Sequence, residues 1–103
     1  VKINGYRIEI PEVEAALNAY NGIKQSYVLA RNLKNEDNNY NDFLVAYYTL
    51  ETGHAVDKNI LIQFLSHRLP EYMLPKYFIE LDKIPLTING KIDNKSLPEP
   101  VLE

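Results

Sequence analysis

Phe43-Leu44-Val45-Ala46-Tyr47-Tyr48-Thr49-Leu50 decides the fold. The run is almost continuously apolar and rich in strand-forming residues, the pattern of a strand buried at the centre of a sheet. C-terminal to it, Asp57 is placed to cap a helix. Ile60, Leu61, Phe64, Leu65 and Leu69 form a broad apolar stripe, with Gln63, Ser66 and His67 turned to water. Pro70 and Pro75 bracket a turn, and Tyr77 to Leu81 reads as the next strand. Strand, helix, strand in that order implies a parallel pair joined by a right-handed crossover.

N-terminal to the central run, residues 34–42 are rich in Asn and Asp and read as a polar connecting loop. Ser26 to Leu33 precedes it as a further strand. Val13, Ala16, Leu17 and Tyr20 share one helical face, with Pro11 at the helix start, Glu12 and Glu14 complementing its dipole, and Gly22 as its left-handed stop. Val1-Lys2-Ile3 and Arg7-Ile8-Glu9 flank Asn4-Gly5-Tyr6, whose Asn-Gly pair is a hairpin signal. The expected fold class is α+β: a small three-stranded sheet packed by two main helices, with a separate N-terminal β-hairpin and a C-terminal lysine loop. Asp93 or Asn94 is placed to cap a short last helix ending at Leu97.

Composition narrows the function classes. The 103 residues, 46% hydrophobic and 24% charged, build one ordinary globular core. A net charge of −3 argues against a nucleic-acid binder that relies on a basic field. No apolar run approaches the roughly 18 residues of a membrane span. The absence of cysteine excludes a disulfide framework and a cysteine nucleophile. Val1 opens directly in an alternating segment, and Leu97-Pro98-Glu99-Pro100 reads as stiff linker chemistry. The expectation is a piece of a longer chain, with 1–96 as the domain and 97–103 as the start of a linker, Leu102-Glu103 being either native or a tag remnant.

Few residues suggest chemistry by themselves. His54 and His67 lie apart on loop and wet helix face, and no metal site is expected. Arg7 and Glu9 read as a same-face ion pair on a strand. The eight tyrosines read as core residues with rim hydroxyls. Lys91 follows Asn89-Gly90 and is placed at the apex of an exposed turn, where an ammonium can meet carboxylate or phosphate oxygens. On these grounds alone the chain is a small α+β domain with an exposed lysine.

Three stretches add a resemblance. Residues 1–14, Val1-Lys2-Ile3-Asn4-Gly5-Tyr6 onward, resemble the hairpin and helix that open the C-terminal subdomain of amino-acid-activating adenylation domains. Leu69-Pro70-Glu71-Tyr72-Met73-Leu74-Pro75 resembles that family's Leu-Pro-x-Tyr-Met-x-Pro stretch. Asn89-Gly90-Lys91-Ile92-Asp93 resembles its lysine loop, and the Leu97 to Pro100 segment its linker into a carrier domain in nonribosomal peptide synthetases. The adenylate-forming superfamily also holds acyl-CoA synthetases and luciferases.

The resemblance implies a mobile lid that serves a large N-terminal core, with ATP, Mg²⁺ and the amino-acid substrate bound mainly by that core. It implies that Lys91 stabilises charge on the substrate carboxylate and the α-phosphate, a role typically worth about 3–4 kcal/mol. Asn89 and Gly90 would shape the turn. Gly5 would approach the adenylate after lid rotation and border the phosphopantetheine of a downstream peptidyl carrier domain, with Lys2 near that second site. Asn4, Pro11 and Asn94 depart from the family pattern. A cytoplasmic setting, no nucleic-acid or membrane partner and no turnover by the isolated piece are expected. The lid of a D-alanine–carrier protein ligase and a non-catalytic α+β interaction module remain open alternatives.

Overall fold

The computed structural model describes residues 2–3, 5–34 and 40–98. Strands β1 (Lys2–Ile3) and β2 (Tyr6–Arg7) form a two-stranded hairpin, followed by helix α1 (Ile10–Asn18). Long strands β3 (Ile23–Lys34) and β4 (Tyr40–Leu50), helix α2 (Lys58–Ser66) and strand β5 (Tyr77–Glu80) complete the main body. Short 3-10 helices occupy Glu71–Met73 and Asn94–Ser96. The main sheet has the order β3-β4-β5, with β3 antiparallel and β5 parallel to β4. The α+β class, the central place of β4, the parallel β4–α2–β5 unit and the separate hairpin all stand as read from the sequence.

β4 is central in both senses. It is paired along both edges, and Val45, Ala46, Tyr47 and Tyr48 are each 0% exposed. Its side chains alternate between two separate apolar clusters, as a pleated strand requires. Leu44, Ala46 and Tyr48 pack with Val13 and Leu17 of α1 and Leu61 and Leu65 of α2, so both helices cover one face. The ring of Tyr20 meets Phe64 edge-on at 5.1 Å and ties the end of α1 to α2. Phe43, Val45 and Tyr47 face the other side, where Leu97 and Ile92 cover them instead of a helix.

Three local readings change. The strands β3 and β4 run further into the polar segment than the apolar residues do, so Asn41 and Asp42 are ladder residues opposite Leu33 and Asn32. An antiparallel hairpin satisfies backbone groups whatever its side chains are, which extends pairing past the hydrophobic pattern. Residues 35–39 lie outside the described residues. α1 ends at Asn18 with Ala19 as its cap in right-handed geometry, so Gly22 does not stop the helix. It sits in the turn that enters β3, at φ +107, and a Cβ there would stand 2.9 Å from His54 Nδ1. Glu14 does not serve the helix dipole: its Oε2 accepts a 2.8 Å hydrogen bond from the Val28 N–H on the edge strand β3. Its neighbour Glu12 does lie in the first turn.

Asp57 caps α2 as expected, its carboxylate accepting from the N–H groups of Asn59 and Ile60 at 2.8 and 3.4 Å. Among the described residues, no helix is long and apolar enough to cross a membrane. Tyr48 is fully buried, yet its hydroxyl meets no hydrogen-bond partner among the described residues. Burial, and then the charge of Glu80, raise its pKa above the ordinary 10.0.

Two substitutions test these contacts. Gly22→Ala combines a disfavoured positive φ with the clash against His54 and is expected to cost about 2 kcal/mol, a fall of roughly 8–16 °C in Tm for a domain of this size. Tyr48→Phe is expected to stabilise the domain by about 1 kcal/mol, because it removes a buried hydroxyl that pairs with nothing described. The raised pKa keeps the phenol neutral in the fold while the unfolded chain ionises first. Wild-type stability attributable to this group is therefore complete below about pH 10 and lost as pH rises further. Urea titrations of both proteins at neutral and alkaline pH check the pair, the Phe variant losing less at the alkaline end.

Candidate functional site

Chain direction sets the first feature. β5 runs parallel to β4 and ends beside Tyr48, with the Leu81 N–H donating to the Tyr48 carbonyl at 2.8 Å. The chain then turns under the sheet face that the helices leave open. A single antiparallel bridge, Leu86 opposite Ile92, closes a small loop. Within it the Gly90 N–H donates to the Thr87 carbonyl at 2.9 Å and the Thr87 N–H to the Lys91 carbonyl at 2.6 Å. The Lys91 N–H reaches the Thr87 hydroxyl oxygen at 3.3 Å. Gly90 has φ +81, the left-handed residue that such a turn followed by a bulge requires.

Ile88 and Asn89 occupy the apex, and Lys91 opens the return limb instead of standing at the tip. The reason is the added bulge residue: the turn closes between Thr87 and Gly90, one position earlier than an Asn-Gly two-residue turn would. Thr87, Asn89, Gly90 and Lys91 are all exposed. The Lys91 ammonium makes no ion pair or hydrogen bond among the described residues. The limb behind it is fixed, since the Asp93 N–H donates to the Pro85 carbonyl at 2.9 Å. The Asp93 carboxylate accepts from the Lys95 N–H at 3.1 Å and the Ser96 hydroxyl at 2.8 Å. An exposed side chain thus stands on a hydrogen-bonded base.

The second feature is the N-terminal hairpin. Lys2 pairs with Arg7 and Ile3 with Tyr6. Gly5 turns the chain at φ +84, and a Cβ there would meet nothing within 4 Å among the described residues. Lys2 stands in β1, and its side chain lies outside the described residues, as does Asn4. Arg7 and Glu9 are both exposed.

The two loops stand far apart. A groove of about 420 Å³ places Ile3 of the hairpin with Phe43 and Leu44, where β4 begins. A second groove, of about 270 Å³, places Leu86 and Ile92 with Lys24, Gln25 and Ser26. Gln25 and Ser26 pair with Thr49 and Tyr48, where β4 ends. From Leu44 to Thr49 is about 17 Å of strand. Ile3 belongs to the helix-side core, whereas Ile92 packs on the opposite face. Hairpin tip and lysine turn therefore occupy opposite ends and opposite faces of one sheet.

Sequence reading missed a third feature. The Tyr47 hydroxyl donates to the Pro98 carbonyl at 2.6 Å and accepts from Arg31 Nε at 3.0 Å. A further Arg31 nitrogen lies 3.4 Å from the Leu97 carbonyl. The Tyr27 hydroxyl donates to Asn94 Oδ1 at 2.9 Å, giving that departure from the family pattern a partner of its own. Leu97, 4% exposed, is pinned by this set against the open face. The available signal was Arg31, a charge directly after the apolar run Tyr27-Val28-Leu29-Ala30 of β3. Tyr47→Phe removes both hydroxyl hydrogen bonds, the one from Arg31 Nε and the one to the Pro98 carbonyl, and is expected to cost about 1–3 kcal/mol. Amide exchange at residues 95–97 should quicken more than exchange in β4.

The chain matches a family described as the AMP-binding enzyme C-terminal domain over residues 12–91. It is 48% identical to tyrocidine synthase 3 of Brevibacillus parabrevis over 100 residues, covering 97% of this chain and 2% of that protein. It is 45% identical to tyrocidine synthase 1 of the same organism over 102 residues, covering 99% of this chain and 9% of that one. Among solved structures it resembles a four-domain nonribosomal peptide synthetase bound to AMP and glycine, with TM-score 0.84 and 43% identity over 100% of this chain and 7% of that one. The chain thus spans a small fraction of the proteins it matches.

Proposed function

The chain belongs to the AMP-binding enzyme C-terminal domain family, and from that premise we propose that it is the lid of an amino-acid-activating adenylation domain in a nonribosomal peptide synthetase. The observation that carries the reading is the exposed Lys91 ammonium, without a partner among the described residues, on a turn whose backbone is fixed.

Activation requires the substrate carboxylate to attack the α-phosphorus of ATP. One C–O–P bond forms, the bond to pyrophosphate breaks, and negative charge grows on the phosphate oxygens. A compact ammonium brought in on a rigid turn stabilises that charge at the moment it develops, without recruiting water. ATP and the amino acid, with Mg²⁺, are assigned to the larger core that this lid serves. Asn89 and Gly90 hold the turn that presents Lys91.

The second half of the reading concerns transfer of the aminoacyl group to a phosphopantetheine thiol on a carrier domain. Gly5 is the bare tip of the other loop, suited to passing close to a thioester-forming centre because it carries no side chain. Lys2 is assigned nearby. Because Gly5 and Lys91 stand at opposite ends and faces of a rigid sheet, one fixed orientation cannot deliver both to the same adenylate. Rotation of the lid between two docked orientations meets that requirement. Residues 97–103 are assigned as the beginning of the linker to the carrier, with Leu97 and Pro98 as its anchored end.

The test is made in the full-length synthetase. Lys91→Ala is expected to reduce amino-acid-dependent pyrophosphate exchange by about 10²–10³-fold, while carrier loading from supplied aminoacyl adenylate persists. Exchange near the wild-type rate would remove Lys91 from the chemistry. Gly5→Leu is expected to affect carrier loading far more than exchange. Equal loss in both steps would remove the hairpin from the transfer step.

A further inference from the structure

The hairpin has only two residues in each strand, too few to hold a defined orientation unaided. Ile3 and Ile8, 7% and 1% exposed, root its base in the core. Beyond that root, a ring stack reaches toward the tip. Tyr6, the residue next to Gly5, lays its ring on that of Tyr72, with centroids 4.4 Å apart and planes within 12°. Ile3 and Tyr6 face each other across the hairpin, so both lie on its inner side and the stack continues the line from core to tip.

Tyr72 stands on a firm post. It lies in the 3-10 helix Glu71–Met73, whose Met73 is 4% exposed and anchored in the core. The Met73 N–H donates to the Pro70 carbonyl at 2.9 Å and the Leu74 N–H to the Glu71 carbonyl at 3.1 Å. Both rings of the stack remain open to solvent, Tyr6 53% and Tyr72 43% exposed. A pair so exposed contributes little to burying the core. Its geometric effect is larger, because it braces the residue beside the tip of a hairpin only two residues long in each strand.

We infer that Tyr72 is a positioning residue for the transfer step, acting through its stack on Tyr6 to hold the Gly5 tip in line. This rests on the proposed role of the hairpin in carrier loading. The stack needs two flat rings and neither hydroxyl. An error of about 1 Å in placing a reacting group commonly costs up to about 10²-fold in rate, whereas the lysine turn lies at the other end of the sheet and is insulated from the loss.

The experiment uses the full-length synthetase with its carrier domain and compares Tyr72→Ala, Tyr72→Phe, Tyr6→Ala and the double alanine variant. Pyrophosphate exchange and carrier loading are measured on each, with Gly5→Leu as a separate control on loading. Tyr72→Ala is expected to slow loading by about tenfold or more with exchange within about twofold of wild type, and Tyr72→Phe to load normally. The double variant is expected to lose no more than either single one, since both remove the same contact. Normal loading by Tyr72→Ala, an equal fall in exchange, or multiplied losses in the double variant would each overturn the clamp. If Gly5→Leu blocks loading while Tyr72→Ala does not, the clamp alone is wrong. If Gly5→Leu loads normally, the hairpin has no part in transfer and the clamp falls with it.

Discussion

The structure depends on covering both faces of one strand. β4 buries seven consecutive residues, Phe43 to Thr49, which alternate above and below the sheet. Each large side chain taken from water contributes about 1.5–3 kcal/mol only if something apolar lies over it. α1 and α2 supply that cover for Leu44, Ala46 and Tyr48. Neither α1 nor α2 covers Phe43, Val45 and Tyr47. The segment after β5 must run back beneath them, and Ile92 and Leu97 become the missing layer. The hydrogen bonds from Arg31 to Tyr47 and from Tyr47 to Pro98 hold that layer closed.

The placement of the lysine turn follows from this constraint. A chain that leaves β5 at one end of the sheet and must cross the open face has to reverse direction somewhere. It reverses at Thr87 to Lys91, outside the packed area, where Gly90 takes φ +81 and Ile88 at the apex is left fully exposed. The limb that carries Lys91 is continuous with the limb that carries Leu97. Core packing and presentation of the ammonium are therefore the work of one segment, and loosening the strap loosens the platform of the turn.

Much of this was legible in advance. The apolar run 43–50, the stripe on α2 and the paired prolines at 70 and 75 gave the strand–helix–strand unit, because hydrophobic period and backbone restriction are local properties. Gly5 and Gly90 were legible as turn residues for the same reason. Glu14 was not. Two acidic residues near a helix start look alike in sequence, and only the approach of β3 shows that one of them accepts from the Val28 N–H while the other remains beside the helix terminus. Gly22 was misread because its neighbours suggested a helix stop, whereas the decisive contact, with His54, lies thirty-two positions further on.

By itself the sequence determined the elements, the fold class and the identity of the loop residues, since strand and helix periodicity and the φ preferences of Gly, Asn and Pro are written into short windows of chain. The tertiary structure decided where those loops stand relative to one another. Gly5 and Lys91 lie on opposite faces and ends because β4 separates two cores, and a separation of that kind is a sum over all the packed elements. The same holds for Arg31, Tyr47 and Tyr72. Their partners lie 16 to 66 residues away along the chain, at distances that only the finished packing sets.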